Sequence, residues 1–252
     1  MSCLLVTGTG TGIGKTVTTA AIAAAALAQG RRVAVVKPVQ TGVAAGEPGD
    51  LAEVARLTGL TDLTEYVRYR EPLAPATAAG RLGQPGPSLP ALAARIAELA
   101  DRDLVLVEGA GGVLVRFNAA GHGLLELAAA LPVQPELVLV CSSRLGGLHD
   151  AAAAAGPIVR AGFGPPHLVI GDWPAEPGLA ERCNLVDLPS YAGAPLAGVL
   201  EQDAGALDRA RFAELAVRSL TPALGGRLDA ADFVASQALF NPPPPIGEET
   251  RR

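Results

Sequence analysis

With 252 residues, 49% of them apolar and 18% charged, the chain has enough hydrophobic material to bury a large core and lies outside the composition of disordered proteins. A net charge of −5, with arginines scattered rather than clustered, argues against a nucleic-acid partner. No apolar run reaches the ~20 residues of a membrane span, no basic segment precedes an apolar signal core, and Cys3, Cys141 and Cys183 show neither disulfide-framework nor metal-ligand spacing, so the expectation is a cytoplasmic protein.

In chain order, short apolar runs predict strands at 4–6, 33–36, 104–107, 136–140, 167–170 and 195–200. Between them lie helix-compatible stretches at 15–29, 50–57, 89–99, 124–130, 149–160, 177–186 and 208–220. The alternation predicts an α/β fold: a single doubly wound, mostly parallel sheet covered by helices on both faces. One domain is expected over 1–240. The segment 80–90 reads as a loop, because the rhythm continues on both sides of it. The proline-rich stretch 241–252 is expected to be a disordered tail.

Ligands of such sheets bind beyond the carboxyl ends of the strands, so the residues after each run are the candidates. The first is GTGTGIGKT, Gly8 to Thr16, entering an alanine-rich helix. Its glycines let backbone N–H groups wrap a phosphate, Lys15 adds charge, and the Thr16 hydroxyl suits Mg2+. The strict spacing G-x-x-x-x-G-K-[ST] would need a glycine at Thr9, so this is a phosphate loop with one residue inserted. The plain alternative is a glycine-rich turn without a ligand. A dinucleotide fingerprint finds no register.

The second candidate is Lys37 in VVKPVQTG. Of 20 basic residues only Lys15 and Lys37 are lysines, and both stand at the ends of adjacent strand–helix units. An ammonium is a compact point charge and a guanidinium a broad fork, so a tight phosphate or carbamate site requires the former. The plain alternative is a solvated lysine before a turn. The third is VEGAGG, where a buried strand delivers Glu108 to its tip as a magnesium ligand, with a helix cap as the alternative. Asp50, opening DLAEVARL, has the same two readings. Thr16, Asp50 and Glu108 together would supply three oxygens to one Mg2+ shared with phosphate oxygens.

GTGTGIGKT, KPVQTG, the Asp50 helix and VEGAGG, in that order and over most of the chain, resemble the dethiobiotin synthetase family. The resemblance implies a P-loop NTPase fold and a homodimer that makes dethiobiotin from 7,8-diaminononanoate, CO2 and ATP with Mg2+. It implies Lys37 and Lys15 as catalytic residues and Thr11 and Thr41 as contacts to the diamine or its carbamate. The nucleotide would lie against Gly12, Ile13, Gly14, Lys15, Thr16, Val17, Asp50, Glu108, Gly109, Ala110 and Gly111. Its base would lie near Gly171, Asp172, Leu200, Glu201 and Gln202. Gly146, Gly147, Leu148 and His149 of the partner subunit would hold the substrate carboxylate.

Three stretches depart from the family pattern. SRLGGLHD has His149 and Asp150 where an Asn-His pair is usual, and Gly171-Asp172 and VLEQ stand where base-reading groups are usual. The expectation is a relaxed nucleobase choice, with other nucleoside triphosphates serving beside ATP. The rival readings are a P-loop ATPase of the partitioning or nitrogenase-iron-protein type and a non-catalytic nucleotide-binding module. The former would carry a second signature lysine at position 10, which is Gly10 here.

Overall fold

In the computed structural model, which describes residues 2–237 and 239, seven strands form one sheet in the order β3-β2-β4-β1-β5-β6-β7. The strands are β1 (Ser2–Gly8), β2 (Val33–Thr41), β3 (Leu63–Tyr69), β4 (Leu104–Glu108), β5 (Glu136–Cys141), β6 (His167–Trp173) and β7 (Leu196–Glu201). Every pairing between them is parallel. The helices are α1 (Lys15–Ala28), α2 (Asp50–Thr58), α3 (Pro75–Arg81), α4 (Leu89–Ala97), α5 (Leu124–Ala130), α6 (Gly147–Arg160), α7 (Leu179–Ala192), α8 (Arg209–Ser219) and α9 (Ala230–Gln237). The tail expected over 241–252 lies outside the described residues.

Alternation along the strands builds a core on each face. Leu4 and Val6 of β1 join α1, α2 and α8 on one side, while Cys3 and Leu5 join α3 through α7 on the other. The chain leaves β1 over the first face toward β2, and leaves β4 over the second toward β5. A crevice therefore opens at the carboxyl ends of the neighbours β1 and β4, where the winding reverses.

Three differences from the sequence reading have physical causes. The second strand does not end at Lys37 but runs on through Pro38 to Thr41. It pairs with β4 only from Val33 to Val36, so the overhang loses no ladder bond on that side to a proline. It keeps β3 as its partner on the other side. That strand, LTEYVRY, has no apolar run to betray it; as an edge strand with a single neighbour it tolerates Glu65 and Arg68. The stretch 80–90 is a loop only in its middle, because α3 ends at Arg81 and α4 begins at Leu89.

Candidate active site

The glycine-rich loop turns sharply between β1 and α1. Gly14 is left-handed at φ 89°, and a Cβ there would lie 2.5 Å from the carbonyl oxygen of Gly171 in β6. A Cβ on Gly171 would in turn collide with the carbonyl oxygen of Ile13. Loop and strand are thus packed backbone to backbone, and neither position admits a side chain. Lys15 opens α1, and its Nζ donates to the Gly10 carbonyl at 2.5 Å.

Lys37 is the centre of the charge network. It is 3% exposed, which disposes of the solvated-lysine reading, and its Nζ lies 2.7 Å from Glu108 Oε1, 2.5 Å from Asp50 Oδ2 and 3.0 Å from the Gly109 carbonyl. Three acceptors converge on one nitrogen, matching the three donors of an ammonium. Burial alone would depress this lysine, but the Glu108 and Asp50 carboxylates outweigh it and hold Lys37 above the ordinary lysine range. Lys15 is depressed: burial removes water from its ammonium and the Lys37 charge repels it, against a partial pull from Glu108 and Asp50.

Asp50 is not a cap. The N-cap of α2 is Gly49, and the Asp50 carboxylate reaches Lys37 instead. Glu108 is fully buried; its Oε1 accepts from Lys37 and from the Thr16 hydroxyl at 3.0 Å, while its Oε2 is buried without a hydrogen-bond partner. A buried carboxylate oxygen with nothing to accept from is costly unless a cation completes it. Thr16, Glu108 and Asp50 together offer only oxygen donors, the set a hard divalent cation prefers.

These groups line a cleft of about 330 Å³, together with Thr11, Gly12, Gly14, Val17, Thr41, Ala110 and Gly111. The structure thus brings together most of the sequence-predicted phosphate-side residues. Of the base-side residues, Gly171 packs against the loop and the others do not line the cleft. Asp172 pairs with Arg144 at 2.9 Å, Glu201 pairs with Arg218 at 2.9 Å, Leu200 is buried, and the Gln202 amide donates to the Trp173 carbonyl at 2.7 Å. The segment Gly146–His149 starts α6 outside the cleft, beside a Leu145 that is 90% exposed.

The family model described as an AAA domain matches residues 2–207. The ATP-dependent dethiobiotin synthetase of Frankia casuarinae is 54% identical, over 93% of this chain and 98% of its own length. That of Saccharopolyspora erythraea is 56% identical over 90% and 99%, and that of Streptomyces coelicolor 49% over 92% and 98%.

The chain belongs to the dethiobiotin synthetase family.

Solved structures share the fold of this chain at low identity. A ParA family ATPase from Chlorobium tepidum superposes with a TM-score of 0.53 at 14% identity, covering 93% of this chain and 97% of that one. The cell division protein MinD of Aquifex aeolicus gives 0.51 at 13%, covering 94% and 95%. The likeness to partitioning ATPases is one of architecture alone, and the reading of the chain as one of them is not favoured.

Two residues, one lining the cleft and one behind it, were not singled out in the sequence. Gln40, 4% exposed, accepts from the Asp50 amide through Oε1 at 2.9 Å, and its Nε2 donates to the Thr41 carbonyl at 3.1 Å. Arg68, opposite it on β3, donates to the carbonyls of Ala44 at 3.0 Å and Glu47 at 2.6 Å. A glutamine four residues past an apolar run carries no signal of its own; the β3 register that places Arg68 beside it was needed to see the pair.

Proposed function

We propose that this cleft closes the ureido ring of dethiobiotin, making the chain an ATP-dependent ligase of biotin biosynthesis with 7,8-diaminononanoate and CO2 as its other substrates. The observation that carries the reading is the buried Lys37 ammonium, held by Glu108, Asp50 and the Gly109 carbonyl beside the glycine-rich loop. One amine of the diamine takes up CO2 and loses a proton, giving a carbamate. A carbamate oxygen then takes the γ-phosphoryl group as ADP leaves. The second amine attacks the anhydride carbon, expelling phosphate and closing the ring. Negative charge builds at each step, and fixed positive groups in a dehydrated site stabilise it better than water does.

In this reading Lys37 serves the carbamate and Lys15 the phosphates, while Thr11 and Thr41 orient the diamine. Thr16, Asp50 and Glu108 would hold Mg2+, and the partnerless Glu108 Oε2 supports the fit. When bound, the ion supplies charge neutralisation at the phosphate oxygens. The nucleotide would run from Gly12, Ile13, Gly14 and Val17 past Gly109, Ala110 and Gly111 to a base end at Gly171, Asp172 and 200–202.

We further infer a homodimer in which a second copy brings Gly146, Gly147, Leu148 and His149 to the substrate carboxylate, with residues 1–240 as one domain. The single sheet spanning β1 to β7 supports the latter. We place the protein in the cytoplasm; its cysteines are free, and no helix among the described residues is long and apolar enough to cross a membrane.

Phosphate release measured with and without bicarbonate and diamine tests the activity. Release that requires both supports it, whereas release indifferent to the diamine would indicate a simple ATPase. The base end tests separately. Asp172 and Glu201 are each engaged by an arginine, so comparable phosphate release is expected from all four nucleoside triphosphates at equal concentration. A strict preference for ATP would refute the relaxed choice.

A further inference from the structure

The α2 helix begins without a side-chain cap of its own. Gly49 is its N-cap, and the first helical amide, that of Asp50, would lack a partner were it not for Gln40 Oε1, which accepts from it at 2.9 Å across ten residues of sequence. Gln40 is itself fixed, since its Nε2 donates to the Thr41 carbonyl at 3.1 Å within a site that is 4% exposed.

The loop leading to that helix is held by Arg68. One guanidinium nitrogen donates to the Ala44 and Glu47 carbonyls, while the Nε and the other nitrogen pair with Glu65 at 2.6 and 2.8 Å. Gly49 lies against both residues, with Gln40 Oε1 2.8 Å and Arg68 Nη2 3.0 Å from where a Cβ would stand. The two side chains close on the backbone just before Asp50, from β2 and β3.

We propose that Gln40 and Arg68 are positioning residues that together set Asp50 against Lys37, Gln40 as a remote cap of α2 and Arg68 as the pin of its approach loop. Neither touches the reacting atoms; both act through Asp50. The inference rests on the reading of Asp50 as part of the reaction site. A planar guanidinium is needed at 68, because it serves two carbonyls and one carboxylate at once, and an ammonium lacks that spread.

The test uses Gln40→Met, which keeps the buried volume and removes both hydrogen bonds, and Arg68→Lys, with Asp50→Asn as reference. Hydrogen exchange on the chain without nucleotide reads the clamp directly. Losing one such bond should speed exchange at the Asp50 amide about three- to tenfold in Gln40→Met, and at 44–49 in Arg68→Lys. In turnover, the Mg2+ concentration giving half the maximal rate should rise by a similar factor, about three- to tenfold, with the KM for the diamine changed less than about twofold. Unchanged exchange in both variants overturns the clamp, as does an unchanged metal requirement in both when Asp50→Asn raises it. If Asp50→Asn leaves turnover and metal requirement intact, the reading of Asp50 falls and the clamp with it.

Discussion

Replacing Lys37 with arginine keeps the charge and removes the shape. Three acceptors at 2.5 to 3.0 Å surround one nitrogen, and a planar fork cannot place three donors at that point. Turnover of Lys37→Arg should fall about 100-fold or more, the order seen when one preorganised donor is removed from a reacting oxygen, while nucleotide affinity stays within a few fold. Stopped-assay kcat beside equilibrium nucleotide titration separates the two. At this scale much was legible: the lysine count in an arginine-rich chain pointed to Lys37, and the structure places it beside Lys15, Asp50 and Glu108. Gln40 was not, because its importance lies in an amide ten residues away and in no pattern that a linear reading detects.

Among the elements, the contact between the glycine-rich loop and β6 admits no side chain. Gly171→Ala places a methyl against the Ile13 carbonyl, a backbone atom that cannot rotate away. Loop and strand must separate, so the variant should lose about 1–3 kcal/mol of stability by urea titration and bind nucleotide more weakly. Unaltered binding would show that the loop tolerates the shift. The elements legible from sequence were those with apolar runs, β1, the first half of β2, β4, β5, β6 and β7, because burial beneath helical layers demands such runs. The edge strand β3 escaped because only one neighbour pairs with it and its side chains are half-buried. The short helix α3, PATAAGR, and the extension of β2 through Pro38 escaped because each breaks a local rule that tertiary context overrides.

On the scale of the whole molecule, the parallel sheet follows from the alternation of strands and helices, whereas the strand order is seen only in the structure, and the crevice position follows from the reversal beside β1. Association cannot be read from one chain's pattern, but the surface carries a testable handle. Leu145 is 90% exposed next to Gly146, and Leu114 is 67% exposed on the loop after β4. Such apolar groups are the kind that a second copy buries. On the proposed homodimer, Leu145→Asp should shift the mass seen by light scattering from dimer toward monomer and raise the KM for the diamine more than that for the nucleotide. A dimer that persists with unchanged KM would remove this segment from the interface.

The helix that carries Lys15 has one more consequence. From Thr18 to Ala26 its side chains are buried, and six of these nine are alanines. An alanine has no rotamers to freeze, so this helix gives up almost no side-chain entropy when it seats on the sheet, and has almost none left to surrender when phosphate arrives. The loop is therefore anchored to an element already as ordered as it will become, and nucleotide binding should show little ordering within α1 itself.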